Sequence, residues 1–168
     1  MRVGICELAD EKEKFTNDLL KKIVGKVAKI KPFDEFFDER KILPPISLPK
    51  KEKNKSQFYE NILKEYGVDV LIVMNYEQEN VSFLDYGGSF LNCKNGSIIE
   101  VEFIYYKPKP NEYVVKQASK VIVHEFGHLA GLTHEDGLKE KDVMALYGSS
   151  FSKKHVKILK EQLKQKFS

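Results

Sequence analysis

HEFGHLAGLTH, residues 124–134, is the stretch around which the rest of the chain reads. His124 and His128 stand four residues apart, and on a helix that spacing puts both imidazoles on one face, one turn apart, where a single metal meets both. Glu125 follows the first histidine directly. That position aims a carboxylate at the metal's open side, where it takes a proton from water instead of acting as a ligand. Gly131 lets the chain leave the helix, because a residue without Cβ enters the left-handed conformation at no steric cost. His134, three residues on, swings under the helix end to supply a third nitrogen, and a tetrahedral zinc then keeps one position for water and substrate. Three of the chain's four histidines fall in this pattern. The fourth, His155, is expected at the surface, at the start of the last helix, with no role.

Working outward, KPKPNE (107–112) breaks any preceding element and Asn111 is a candidate cap, so the metal-bearing helix is predicted from about Glu112 to Ala130. Val115, Ala118, Val121, Ile122, Val123, Phe126 and Leu129 nearly surround it, which predicts a centrally buried helix. On the N-terminal side, the unbroken apolar run Val68–Met74 is the best central strand. MRVGICEL is a first strand, with Val3 and Ile5 on one side and Cys6 and Leu8 on the other. A helix follows, with Asp10 and Glu13 at capping-box spacing, Phe15, Leu19 and Ile23 at helical intervals and Gly25 as the stop. Val27–Ile30 then reads as a second strand, parallel to the first. Pro32–Lys55, carrying ILPPISLP and KKEKNK, reads as loop. Asn54 and Gln57 can cap the next helix, whose stripe is Phe58, Ile62, Leu63 and Tyr66 and whose end is Gly67.

Between Glu77 and Ile104 the chain turns to extended pieces joined at Lys94-Asn95-Gly96, a hairpin signal. Gly87 and Gly88 mark either a bulge or a close approach by another backbone, including a substrate that adds itself as a strand on an exposed edge. From Glu135 to Ser150 a loop is expected, leading to a last helix from about Ser152 with Val156, Leu159, Leu163 and Phe167 on one side. The fold class predicted is α/β, with a mixed sheet, backing helices and one domain over residues 1–168.

Composition bounds the function. The 42% hydrophobic content and 168 residues suit a globular domain with its own core. With 28 basic against 25 acidic residues, the formal charge of +3 gives no grounds for nucleic-acid binding, and the lysine-rich pieces near residues 50–55 and at the C-terminal end read as solvated faces. Two cysteines far apart, Cys6 and Cys93, suggest reduced thiols, and with no membrane-length apolar run or leader-like N-terminus the expectation is a soluble cytoplasmic protein.

With these residues in view, the chain resembles the metzincin clan of zinc peptidases, whose signature HExxHxxGxxH is followed by a methionine in a tight turn below the metal. Met144 in DVMAL fits that turn, and the resemblance implies that its thioether forms an apolar floor under the imidazoles without binding zinc. Within the clan the chain is similar to archaemetzincins, on the strength of the first strand, ILPPISLP, KSQFYENIL and VDVLIVM. It departs from them after the third histidine, where Glu135 stands in place of a cysteine and no cysteine follows Cys93, so one zinc per chain is expected. The clan fold implies a twisted mixed sheet over two helices in an upper subdomain, about 1–131, the active-site helix at the cleft floor, and a small C-terminal lower subdomain, about 132–168. A tyrosine two residues after the methionine serves some members as ligand or oxyanion donor. Here that position is Leu146, and Tyr147, one residue later, is the candidate donor.

The expected activity is zinc-dependent hydrolysis of peptide bonds in a peptide or protein substrate, with Glu125 as general base and neutral imidazoles required, so that zinc affinity falls below pH roughly 6.5. The alternatives are a non-catalytic zinc-binding module and a hydrolase of a non-peptide amide. Latency through Cys6 or Asp10 covering the zinc is a further possibility.

Overall fold

The apolar run that starts at Val68 becomes the middle strand of a five-stranded sheet. The computed structural model describes residues 1–8, 15–48, 55–77, 85–104, 110–145 and 147–167. Its strands are β1 (Arg2–Glu7), β2 (Glu39–Ile42), β3 (Val70–Glu77), β4 (Asp85–Cys93) and β5 (Gly96–Ile104), in the order β2-β1-β3-β5-β4. β2, β1, β3 and β5 run parallel, and β4 pairs antiparallel to β5. The helices are α1 (Asn17–Val27), α2 (Phe33–Phe36), α3 (Lys55–Tyr66), α4 (Asn111–Leu129), α5 (His134–Glu140) and α6 (Lys153–Phe167). The mixed α/β class expected from the sequence is the one observed. No helix among the described residues is long and apolar enough to cross a membrane.

β1 and β3 are apolar on both sides because both sheet faces are covered. Ile5, Ile72, Met74 and Val101 pack on one face with Leu20 and Ile23 of α1, Ile122 and Phe126 of α4, and Leu159 of α6. Cys6, Leu71, Val73 and Ile98 pack on the other with Tyr59, Ile62 and Leu63 of α3. In α4, Ile122, Val123 and Phe126 are wholly buried, and burial of each contributes about 1.5–3 kcal/mol. This fixes α4 under the sheet, with its C-terminal half beneath β4.

Several sequence expectations are corrected. Val27–Ile30 is no strand: α1 runs through Gly25 and ends at Val27, with Ala28 as its cap. Gly25 keeps a helical conformation, so it is not a stop, and the helix starts from Thr16, whose Oγ1 accepts the Leu19 N–H at 3.2 Å. The parallel partner of β1 comes instead from Glu39–Ile42, inside the stretch read as loop. Asn111 is the first residue of α4, and Pro110 holds the cap position without a side-chain bond. The β4–β5 hairpin pairs without interruption from Asp85↔Ile104 to Cys93↔Gly96, so Gly87 and Gly88 form no bulge. Gly96 is required where it stands, because a Cβ there would lie 2.4 Å from the Asp69 carbonyl oxygen. Asp10, Glu13 and Asn54 lie outside the described residues.

Candidate metal centre

The end of α4 builds the site. Gly131 sits at φ +81, the Gly131 N–H donates to the His128 carbonyl at 2.9 Å, and the Leu132 N–H donates to the Gly127 carbonyl at 3.0 Å. This pair of bonds closes a helix C-terminus around a left-handed residue and reverses the chain. Thr133 then caps α5: its Oγ1 accepts the Asp136 N–H at 3.2 Å, and Asp136 Oδ2 accepts the Thr133 N–H at 2.8 Å. His134 is therefore the first residue of a capped helix, where a loop was expected. The Thr133–Asp136 spacing was the available signal for it.

The three imidazoles meet. His124 Nε2 lies 3.0 Å from His128 Nε2 and 3.1 Å from His134 Nε2, and His128 Nε2 lies 3.1 Å from His134 Nε2. The outer nitrogens explain what faces inward: His124 Nδ1 donates to the Val143 carbonyl at 2.9 Å and His128 Nδ1 to the Leu132 carbonyl at 2.8 Å. A carbonyl only accepts, so Nδ1 carries the proton in both rings and the Nε2 lone pairs point at each other. Lone pairs at that distance repel unless a cation lies between them. Tetrahedral coordination at about 2.0–2.1 Å sets nitrogens roughly 3.3 Å apart, so the triangle fits a metal ion of that size. Burial holds His124 below the ordinary histidine range, against the bond to Val143 that pushes the other way, and this favours the neutral ring a metal needs. His124 is buried, His128 half-buried and His134 exposed, so the triangle opens to solvent on one side.

Glu125 stands outside the ligand triangle. It is 5% exposed and lines a cleft of about 440 Å³ together with Gly87, Gly88, Phe90, Lys120 and the three histidines. Burial lifts its carboxyl to about 7, with His134 pulling weakly the other way. Above the cleft runs β4, an edge strand of the sheet. Gly88 faces α4 so closely that a Cβ would lie 2.8 Å from Glu125 Oε1 and 2.6 Å from Val121 Cγ1. The close approach expected at the glycine pair is thus made by side chains of α4. On the same face of β4, the Phe90 ring stacks over His128 with centroids 6.1 Å apart. Sequence reading missed Phe90, although its two-residue spacing from Gly88 puts both on one face.

Met144 is wholly buried in a 3-10 turn, Val143–Ala145, pressed against Gly127, which lies between the first two histidines in sequence. Tyr147 is 53% exposed and is not among the residues lining the cleft, so the structure does not bring it to the histidines. The expectation for His155 is overturned: it is 1% exposed, and its Nδ1 donates to Asp142 Oδ2 at 2.6 Å. Cys6 packs on the α3 face of the sheet, the opposite face from α4, which removes it as a cover for the site.

No protein-family model matches the chain, and no curated protein matches it. Among solved structures the chain is similar to the catalytic domain of the CD27L endolysin, described as targeting Clostridia Difficile, at 15% identity over 74% of this chain and 98% of that chain, with a TM-score of 0.39.

Proposed function

We propose that the chain is a zinc-dependent metallopeptidase of the metzincin type, in which His124, His128 and His134 hold one zinc ion per chain and Glu125 is the general base. The observation that carries this is the convergence of three Nε2 atoms within 3.1 Å beside a buried carboxyl that lies outside the ligand set. Three neutral imidazoles suit zinc among the common divalent ions, and an ion bound there supplies Lewis-acid chemistry, acidifying water and polarising a carbonyl. The chain's own residues do the rest. Glu125, brought by burial to about 7, both takes and returns a proton near neutral pH. It takes one from the water whose oxygen joins the carbonyl carbon, and gives it to the nitrogen that leaves as the C–N bond breaks.

The outer edge of β4, which pairs with no strand among the described residues, supports a peptide substrate over a small amide. An extended chain pairing with that edge lies along the rim of the cleft, with backbone hydrogen bonds holding it and alternate side chains turned toward α4. Phe90, 39% exposed beside His128, offers those side chains an apolar contact. Both cysteines are free, which accords with the proposed cytoplasmic setting.

The test is elemental analysis of wild type, Glu125→Gln and His128→Ala, with a peptide-library digest of each. The expected result is one zinc in the first two, loss of zinc from the third, and turnover reduced by several orders of magnitude in Glu125→Gln. Near-normal cleavage by Glu125→Gln would sink the assignment of the base. One zinc in the wild type with no peptide cleaved would sink the peptidase reading and leave a zinc-binding module or a hydrolase of a non-peptide amide.

A further inference from the structure

The carbonyl that orients His124 belongs to the peptide unit joining Val143 to Met144, and that unit is held at both ends. Its C=O accepts from His124 Nδ1 at 2.9 Å, and its N–H, on Met144, donates to Asp142 Oδ1 at 3.0 Å. Because a peptide is planar, gripping the N–H sets the direction of the C=O. The other oxygen of Asp142 is gripped in turn: Oδ2 accepts His155 Nδ1 at 2.6 Å and the Ser152 N–H at 2.8 Å. His155 is fixed in the first turn of α6, where Ser152 Oγ accepts its backbone N–H at 3.2 Å. Asp142 and His155 are 4% and 1% exposed, and neither touches the cleft. A buried acid–imidazole pair is costly to assemble unless its bonds are all made, and here each bond lies on one path from α6 to a ring of the triangle.

We propose that Asp142 and His155 are positioning residues for the metal centre: through the Val143–Met144 peptide they set the tautomer and the ring orientation of His124. This rests on the zinc reading of the triangle. His134 is placed by its own capping box and His128 by the Leu132 carbonyl, so His124 is the ligand whose aim depends on α6. Loss of such outer partners typically weakens metal binding 10–100-fold.

The test uses the full chain and Zn2+ competed against a chelator, with Co2+ substituted into the same site for its visible absorption. His155→Ala is expected to weaken Zn2+ by 10-fold or more and to change the Co2+ spectrum, while His155→Asn, whose amide N–H replaces Nδ1, stays within about 3-fold of wild type. Where His155→Ala does not fold, His155→Asn is compared with His155→Gln, whose amide sits one bond farther out. Asn close to wild type with Gln 10-fold weaker supports the proposal. Equal affinity and unchanged Co2+ spectra in all folded variants would overturn it, since a merely structural pair would alter stability alone. A wild type that binds no Zn2+ would instead strike the zinc reading itself, and the positioning role with it.

Discussion

Two helical glycines, Gly25 in α1 and Gly127 in α4, should respond oppositely to the same change. Alanine in place of a helical glycine gains about 1 kcal/mol of propensity where nothing obstructs the new methyl. At Gly25 a Cβ meets nothing within 4 Å, so Gly25→Ala should stabilise the protein by roughly that amount. At Gly127 the Cβ would lie 2.1 Å from Met144 Sδ and 3.0 Å from both Met144 Cε and Phe151 Cε1. Relief needs the Met144 thioether to move by about 1.5 Å within a wholly buried site, while its backbone is held. Behind it, a Cβ at Gly137 would stand 2.4 Å from Met144 C, so α5 already touches the turn, and Asp142 Oδ1 holds the Met144 N–H. Overpacking of this kind costs about 3 kcal/mol, so after the propensity gain Gly127→Ala should lose about 2 kcal/mol. Thermal unfolding of the metal-free protein reads the difference: about 2–4 °C up for Gly25→Ala and about 4–8 °C down for Gly127→Ala. Combining Gly127→Ala with Met144→Ala should recover at least 1 kcal/mol against the sum of the two single losses, the sign of direct contact. A Gly127→Ala protein as stable as Gly25→Ala would refute the placement of Met144 beneath the histidines.

Glu125 is costly to keep in the absence of metal. Its carboxyl is lifted by burial from 4.5 to about 7, so the folded state binds more protons than the unfolded one between those values, and stability falls as pH rises through that window. At pH 8 the loss is at most about 3 kcal/mol; metal-free Glu125→Gln should therefore melt higher than metal-free wild type at pH 8 and at the same temperature at pH 4, and coincident melts at pH 8 would exclude the burial. Gly88→Ala should push the Glu125 side chain away from its position, given a Cβ 2.8 Å from Oε1, and lower kcat about 100-fold with zinc content unchanged; kcat within 2-fold of wild type would mean that β4 does not set the carboxylate. For the thiols, burial pushes Cys6 up to about 12 while Cys93 is half-buried, so a thiol reagent should count one fast group in the native protein and two after denaturation, and two fast groups in the native protein would contradict the packing of Cys6 against α3.

Most of the site could be read from the sequence because its geometry is local. Four residues of helix place His128 under His124, one glycine reverses the chain, and Thr133 with Asp136 starts the helix that presents His134. The order in which the three histidines follow one another is set within residues 124–136, while outer partners come from elsewhere in the chain, Val143 for His124 and Phe90 for His128. The central strands could be read for the same kind of reason: both faces of β1 and β3 are covered, so Val3, Ile5 and Cys6 and the run Val70–Met74 are apolar on both sides. β2 escaped because, among the described strands, it is an edge strand paired with β1, and its exposed Glu39 and Arg40 resemble a loop when no partner is known. Gly25 misled because a glycine that ends a helix and one inside it look alike; what separates them is a backbone angle, and Gly25 keeps the helical one with Val24 and Val27 buried on either side. His155 was misread for a deeper reason. Its role depends on Asp142, 13 residues earlier in the chain, and on a turn whose residues carry no periodicity, so no pattern along α6 distinguishes it from a surface histidine. Its meaning lies in a contact between α6 and the turn carrying Met144. That contact joins the part of the chain after Gly131 back to α4, so on the proposed positioning role a site whose three histidines come from 11 consecutive residues draws on the last helix as well.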